Sequence, residues 1–228
     1  MRAALKEGAT EVVLRGVSGQ RYIGAGLAGE VRIAIEGVPG NDLACFMAGP
    51  RIEVRGNAQD GVGNTMSAGS VVIHGHAGDV LGYSMRGGRI LVRWKAGYRV
   101  GIHMKAYRDR SPVVIVGGTV RAYFGEYMAG GTLAALGIDG GEGEPLAGDF
   151  VGTGMHGGEI YLRGTVEPRQ LGREVGIVEI DDAGWQLFQP HLEAFAQAFG
   201  LDAARFPRES FTRLKPVSHR PYGKIYVH

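Results

Sequence analysis

The stretch "YIGAGLAGEVRIAIEG", Tyr22 to Gly37, decides how the chain is read. Gly24, Gly26 and Gly29 stand in G-x-G-x-x-G order, the spacing that cradles a pyrophosphate when a strand leads in and a helix leads out. The residues after Gly29 are strand-like instead. Val31, Ile33 and Ile35 alternate with Arg32, Ala34 and Glu36, the period-2 pattern of a half-buried strand. Without a helix N-terminus to hold a phosphate, the glycines need another explanation.

The explanation is a repeat. Met47, Met66, Met85 and Met104 are each 19 residues apart, Met128 and Met155 come next at 24 and 27, and Leu27 precedes Met47 by 20. "DGVGNTMSAGSVVIHG", "DVLGYSMRGGRILVRW", "AYFGEYMAGGTLAALG" and "DFVGTGMHGGEIYLRG" align without gaps. Gly63, Gly82, Gly101, Gly125 and Gly152 each stand three before a methionine, and Gly24 holds the same place before Leu27. Five residues after the methionine comes an aliphatic residue (Ile52, Val71, Ile90, Leu133 or Ile160), and another stands two later. The longer intervals contain polar insertions, "YRDRSP" after Met104 and "IDGGEGEPLAG" before Asp149. Such insertions fall between the strands of a stacked repeat.

Seven copies of about 19 residues, each with a short strand and glycine corners, predict an all-β fold, a right-handed single-stranded parallel β-helix. The methionines form an internal ladder, filling an irregular core with flexible side chains. A left-handed hexapeptide solenoid would place aliphatic residues every six positions in an 18-residue coil, and no hexad is seen. Residues 1–18 read as a lead-in, 19–168 as the β-helix, and 169–228 as a C-terminal helical segment with an extended tail.

Outward strand positions carry Glu53 and Arg55 early and Tyr161 and Arg163 late; the middle coils are read as placing Val72, Leu91, Val114, Val116, Ala134 and Leu136 there. Stacked, these make an apolar stripe that needs a cover. Phe188, Leu192, Phe195 and Phe199 fall at helical spacing in Asp181–Gly200, with Pro190 able to begin a helix or break one. Either this helix or a partner protein covers the stripe. In the second case Val72, Leu91, Val114 and Leu136, with Arg220 and Tyr222 of the basic, aromatic tail "FTRLKPVSHRPYGKIYVH", form a partner interface.

Composition sets the bounds. Forty glycines against the roughly 7% average mark a repeat, not disorder, because 44% of the residues are hydrophobic. The net charge of +2, from 25 basic and 23 acidic residues, argues against nucleic acid as partner. A single cysteine, Cys45, in the apolar run "LACFMAG", allows no intrachain disulfide or cysteine cluster. No signal peptide or 18-residue apolar run is present, so the expectation is a cytoplasmic protein away from membranes.

No catalytic, cofactor or metal site is assigned. His74 and His76 form an H-x-H pair lacking a third ligand, and Asp79 occupies a corner filled elsewhere by Asn41, Asp60 and Asp149, where side chains bonding their own backbone explain the choice. His103 and His156 flank methionines at slots that vary between coils. Glu126 and Tyr127 are the best polar pair for a groove, although corner packing explains them too.

The repeat G-x-x-M-x-G-G-x-I resembles the G-x-G-x-G domain at the C-terminus of the glutamate synthase large subunit, from about Gly19 to Thr165, and Asp181–Phe206 is similar to that family's C-terminal region. The resemblance implies a right-handed β-helix without catalytic residues of its own. It holds a glutamine amidotransferase and a flavin/iron–sulfur synthase in place, with FMN and the iron–sulfur cluster on those partners. This chain has no N-terminal amidotransferase cysteine and no cluster cysteines, so it looks like a free-standing version of that domain. The β-helical subunit of formylmethanofuran dehydrogenase is similar and is the alternative. A solitary β-helix hydrolase or lyase and a structural homo-oligomer are the readings from other classes.

Overall fold

The computed structural model describes residues 1–138 and 145–217. A short helix α1 (Arg2–Lys6) precedes eight strands: β1 (Glu11–Ser18), β2 (Arg32–Val38), β3 (Ala48–Arg55), β4 (Ala68–Ile73), β5 (Arg89–Val92), β6 (Val113–Val116), β7 (Ala129–Ala135) and β8 (Gly157–Arg163). Each pairs in parallel with the next. Then come β9 (Val175–Val178), the long helix α2 (Asp182–Ala198) and β10 (Phe211–Pro216), and the sheet order ends β8-β10-β9. The protein is a mostly β, parallel solenoid of about six turns. That is fewer than the about seven coils expected from the repeat count, because the seven rungs from Ile33 to Ile160 enclose only six turns. Among the described residues, no helix is long and apolar enough to cross a membrane.

The core is built in columns. Ile33, Ile52, Val71, Ile90, Val114, Leu133 and Ile160 stack in register, and Ile35, Val54, Ile73, Val92, Val116, Ala135 and Leu162 form a second file. β-branched side chains suit these positions because they pack on the pleated face of the rung above. Met47, Met66, Met85, Met104, Met128 and Met155 are wholly buried on another side of each coil. Leu27, at the head of that file, is half-buried and packs on the same core. A fourth file, four residues before each anchor, runs Ile23, Leu43, Val62, Leu81, Val100, Phe124 and Val151.

Val114 and Val116 belong to this core and not to the outer stripe. The insertion after Met104 lengthens the path to the first inward residue from five positions to ten, and the alternation must be counted from there. The outer row runs Glu53, Val72, Leu91, Ile115, Ala134 and Tyr161.

Both ends differ from expectation. β1 is a rung of the sheet, so residues 11–18 belong to the solenoid, and Met1, Leu14 and Val17 pack on its core. At the other end "FTRLKP" is strand β10, antiparallel to both β8 and β9, and not a free tail. Reversed pairing there stops the parallel ladder from offering an open edge at β8. Leu214 and Val175 close the core beneath it. The remainder of the tail, with Arg220 and Tyr222, lies outside the described residues.

The apolar outer row is covered by the chain itself. α2 is capped by Asp181, whose side chain accepts the Gly184 N–H at 2.8 Å. Phe188, Leu192, Phe195 and Ala196 form its buried face and join Leu91, Val113, Ile115, Ala134, Leu136 and Tyr161 in a second core. Phe188 stacks on Tyr161 with ring centroids 3.9 Å apart. Pro190 sits inside the helix on its exposed side, so the carbonyl it leaves without an N–H partner faces water. Leu91 and Leu136 are thus interior positions, and Val72 packs at the border of the same cluster.

Candidate functional surface

Each coil turns through a corner just before its methionine, and the backbone there obeys a rule. The fifth, third and first residues before the anchor all have positive φ. In the coil of Met104 these are Arg99 (58°), Gly101 (74°) and His103 (55°); in that of Met128 they are Tyr123 (66°), Gly125 (74°) and Tyr127 (52°). Hydrogen bonding explains the alternation. Arg99 and His103 donate their N–H groups to Ala122 and Glu126 of the next coil, while Gly101 donates back to Leu81 of the previous one. Left-handed residues at alternate positions thereby turn successive amides up and down the axis, and the stacked corners satisfy one another.

The third position faces the core. A Cβ on Gly63 would lie 2.4 Å from Ile90 Cδ1, and one on Gly125 would lie 2.6 Å from Ile160 Cδ1. Ala44 is the largest residue at this position and is buried. Most fifth and first positions face outward, Gly61 and Gly154 being buried exceptions, and left-handed backbone there still costs a non-glycine residue roughly 1–2 kcal/mol. This chain nonetheless places Tyr22, Phe46, Tyr123, Tyr127 and Phe150 there. Phe46 is 62% exposed and Phe150 51%. Bulky rings held in a strained backbone and turned to solvent are a signal of function.

Neighbouring rings along this ridge are ordered. His103 stacks on Tyr127 at 5.2 Å and meets Tyr83 edge-on at 6.0 Å; Tyr123 stacks on Phe150 at 5.0 Å. The Arg99 guanidinium lies over Tyr123 at 4.6 Å and is ion-paired with the buried Glu126. Glu126 therefore anchors the ridge from within, while Tyr127 belongs to its outer face. The slot of His103 joins a local cluster of rings with Tyr83 and Tyr127, which was hidden in the sequence because glycine, serine and threonine fill the same slot in other coils.

The remaining candidates are used locally. His74 bonds Glu53 at 3.0 Å and meets Phe199 edge-on, whereas His76 accepts the Lys95 N–H through Nδ1, so the two imidazoles do not converge. Asp60 and Asp79 accept the N–H groups of Asp79 and Tyr98 at 2.9 and 2.8 Å. These side chains bridge to the next coil instead of closing their own turn, because a rung lies directly above each corner. His156 bonds the Gly154 carbonyl. Cys45 is buried, and burial, with Asp42 nearby, pushes its thiol pKa up, away from the thiolate.

The paired corner glycines Gly24-x-Gly26, Gly61-x-Gly63 and Gly152-x-Gly154 are copies of one left-handed pattern. A sequence model described as the GXGXG motif matches residues 7–216. The chain belongs to the GXGXG family. Within the curated proteins, this GXGXG chain is 47% identical over 223 residues to the uncharacterized protein MJ1350 of Methanocaldococcus jannaschii, covering 95% of this chain and 85% of that one. Among solved structures it is similar to a chain of the formyltransferase/hydrolase complex FhcABCD of Methylorubrum extorquens, determined with methylofuran, with a TM-score of 0.64 and 24% identity over 87% of this chain and 70% of that one. At that identity the likeness is one of fold.

Proposed function

We propose that this GXGXG chain is a non-catalytic subunit of a glutamate synthase-like assembly. It would hold a glutamine amidotransferase chain and a flavin/iron–sulfur synthase chain at fixed separation, with FMN and the cluster on those partners. Fixing that geometry matters because ammonia released at one site must reach the other before it escapes, and positioning alone can contribute many-fold to such a step. The observation that carries the reading is the aromatic ridge: exposed rings kept at strained corners, on a rigid stack, are suited to burial against another protein. Membership of the GXGXG family supports it.

The purified chain is expected to be colourless and inert toward glutamine and simple esters. Turnover of either by the chain alone would favour the solitary hydrolase reading instead. Phe46→Gly tests the ridge. Relief of the left-handed strain, less the added freedom of glycine in the unfolded chain, should stabilise the isolated protein by roughly 0.5–1 kcal/mol in urea denaturation. The same change should weaken retention of the partner chains, and a variant that is less stable and fully retained would count against the ridge as an interface.

A further inference from the structure

α2 covers β5 to β8, reaches β4 only at Val72 and leaves the outer face of β1 to β3 open, and a groove of about 520 Å³ runs beside the helix across β3, β4 and β5. Arg51, Ser70 and Arg89 are consecutive outward residues in register on β3, β4 and β5. Rungs about 4.8 Å apart set the two arginine Cα atoms about 10 Å from one another, with the Ser70 hydroxyl between them. Both guanidinium groups can reach a single group held above that serine. Ser111 and, from α2, His191 complete the polar lining.

Every ionisable group on the groove is basic, and no carboxylate lines it among the described residues. Arg32, on the adjoining rung, is paired with Glu11 at 3.3 Å, whereas neither Arg51 nor Arg89 has an ion pair among the described residues. The Nδ1 atom of His191 is buried without a hydrogen-bond partner. Burial, and next the charge of Arg89, holds the His191 pKa below its ordinary value. Two unpaired arginines in register with a hydroxyl between them form an arrangement of donors that lacks its acceptor, and the imidazole beside them has a ring nitrogen without a partner.

We propose that this groove binds a small molecule bearing an oxyanion, phosphate or carboxylate, clamped between Arg51 and Arg89 over Ser70. The volume suits a metabolite-sized ligand. The proposal is independent of the assembly described above and can be tested on the full chain alone.

The test is an NMR titration of the purified protein with inorganic phosphate and, separately, with succinate, at constant ionic strength. Saturable shifts of the Ser70 and Arg89 amides and of the His191 ring are expected below about 10 mM of at least one anion, the better ligand distinguishing a tetrahedral from a planar group. The His191 titration midpoint should rise on saturation, because the bound anion offsets Arg89. The double variant R51Q/R89Q should weaken binding at least tenfold, while Arg15→Gln, which removes an exposed partner of Glu36, should leave it unchanged. No saturation by either anion, or equal affinity in the double variant, would overturn the proposal.

Discussion

Replacing Arg213 with methionine is expected to destabilise the folded chain by about 3 kcal/mol, the lower end of the usual loss when one partner of a buried ion pair is removed. Arg213 is 4% exposed, under the start of α2. Its Nε and Nη2 donate to the two oxygens of Glu159 at 3.0 and 2.9 Å, and Nη1 donates to Asp181 and to the Glu179 carbonyl. One side chain thus ties β10 to β8 and both to the N-terminus of the helix. Gly184 is required there, since a Cβ would lie 2.5 Å from the guanidinium. Lys215, 2.9 Å from Glu159, retains part of the charge balance in the variant, which is why the lower end is expected.

The same cluster predicts a pH dependence. Burial alone would raise the Glu159 pKa, but hydrogen bonds from Arg213, Tyr161 and Lys215 outweigh it and hold the carboxyl below the ordinary range. A carboxylate depressed in the folded state contributes stability above its unfolded pKa, about 4.3, and loses it as pH falls through the lower folded value. Wild-type stability should therefore drop below about pH 4.3 more steeply than that of Glu159→Gln, as measured by urea midpoints across about pH 2–6. Parallel curves would show that Glu159 does not sense this environment.

The second large effect concerns the spacing of the rungs. Gly69→Ala places a Cβ 2.3 Å from the Pro50 carbonyl oxygen and 2.8 Å from the Gly49 carbonyl carbon of the coil below, at a φ of 96°. Both obstacles are backbone, so the rungs themselves must separate. A loss of about 3 kcal/mol or more is expected from overpacking added to left-handed strain. Gly26→Ala is the control: φ is 63°, nothing lies within 4 Å of the new carbon, and only the left-handed strain, less the freedom that alanine removes from the unfolded chain, should appear, a loss of roughly 0.5–1 kcal/mol. Equal losses at the two sites would mean that close backbone approach is not what the strand glycines supply.

The sequence discloses most where the structure repeats. The period was legible in Met47, Met66, Met85 and Met104 because each coil encloses the same cross-section and needs the same filler. Phe188, Leu192 and Phe195 announced a helix, and the apolar outer row announced its need for a cover. The frame of β6 was lost where "YRDRSP" broke the count, which moved Val114 and Val116 to the wrong face. β10 was hidden because buried Arg213 and half-buried Lys215 spoil its alternation. The ridge was least legible of all. Left-handed backbone is written in a sequence only where glycine occupies it, and at Tyr22, Phe46 and Phe150 the residue type points the other way.

The most direct test of the subunit role is isolation of the tagged chain from its native source, with flavin absorbance and glutaminase activity read on the recovered material. The expected result is a defined complex containing both, which separates into an inert, colourless GXGXG chain and the two active partners. Recovery of the chain alone or as a homo-oligomer, with neither flavin nor glutaminase, would contradict that role.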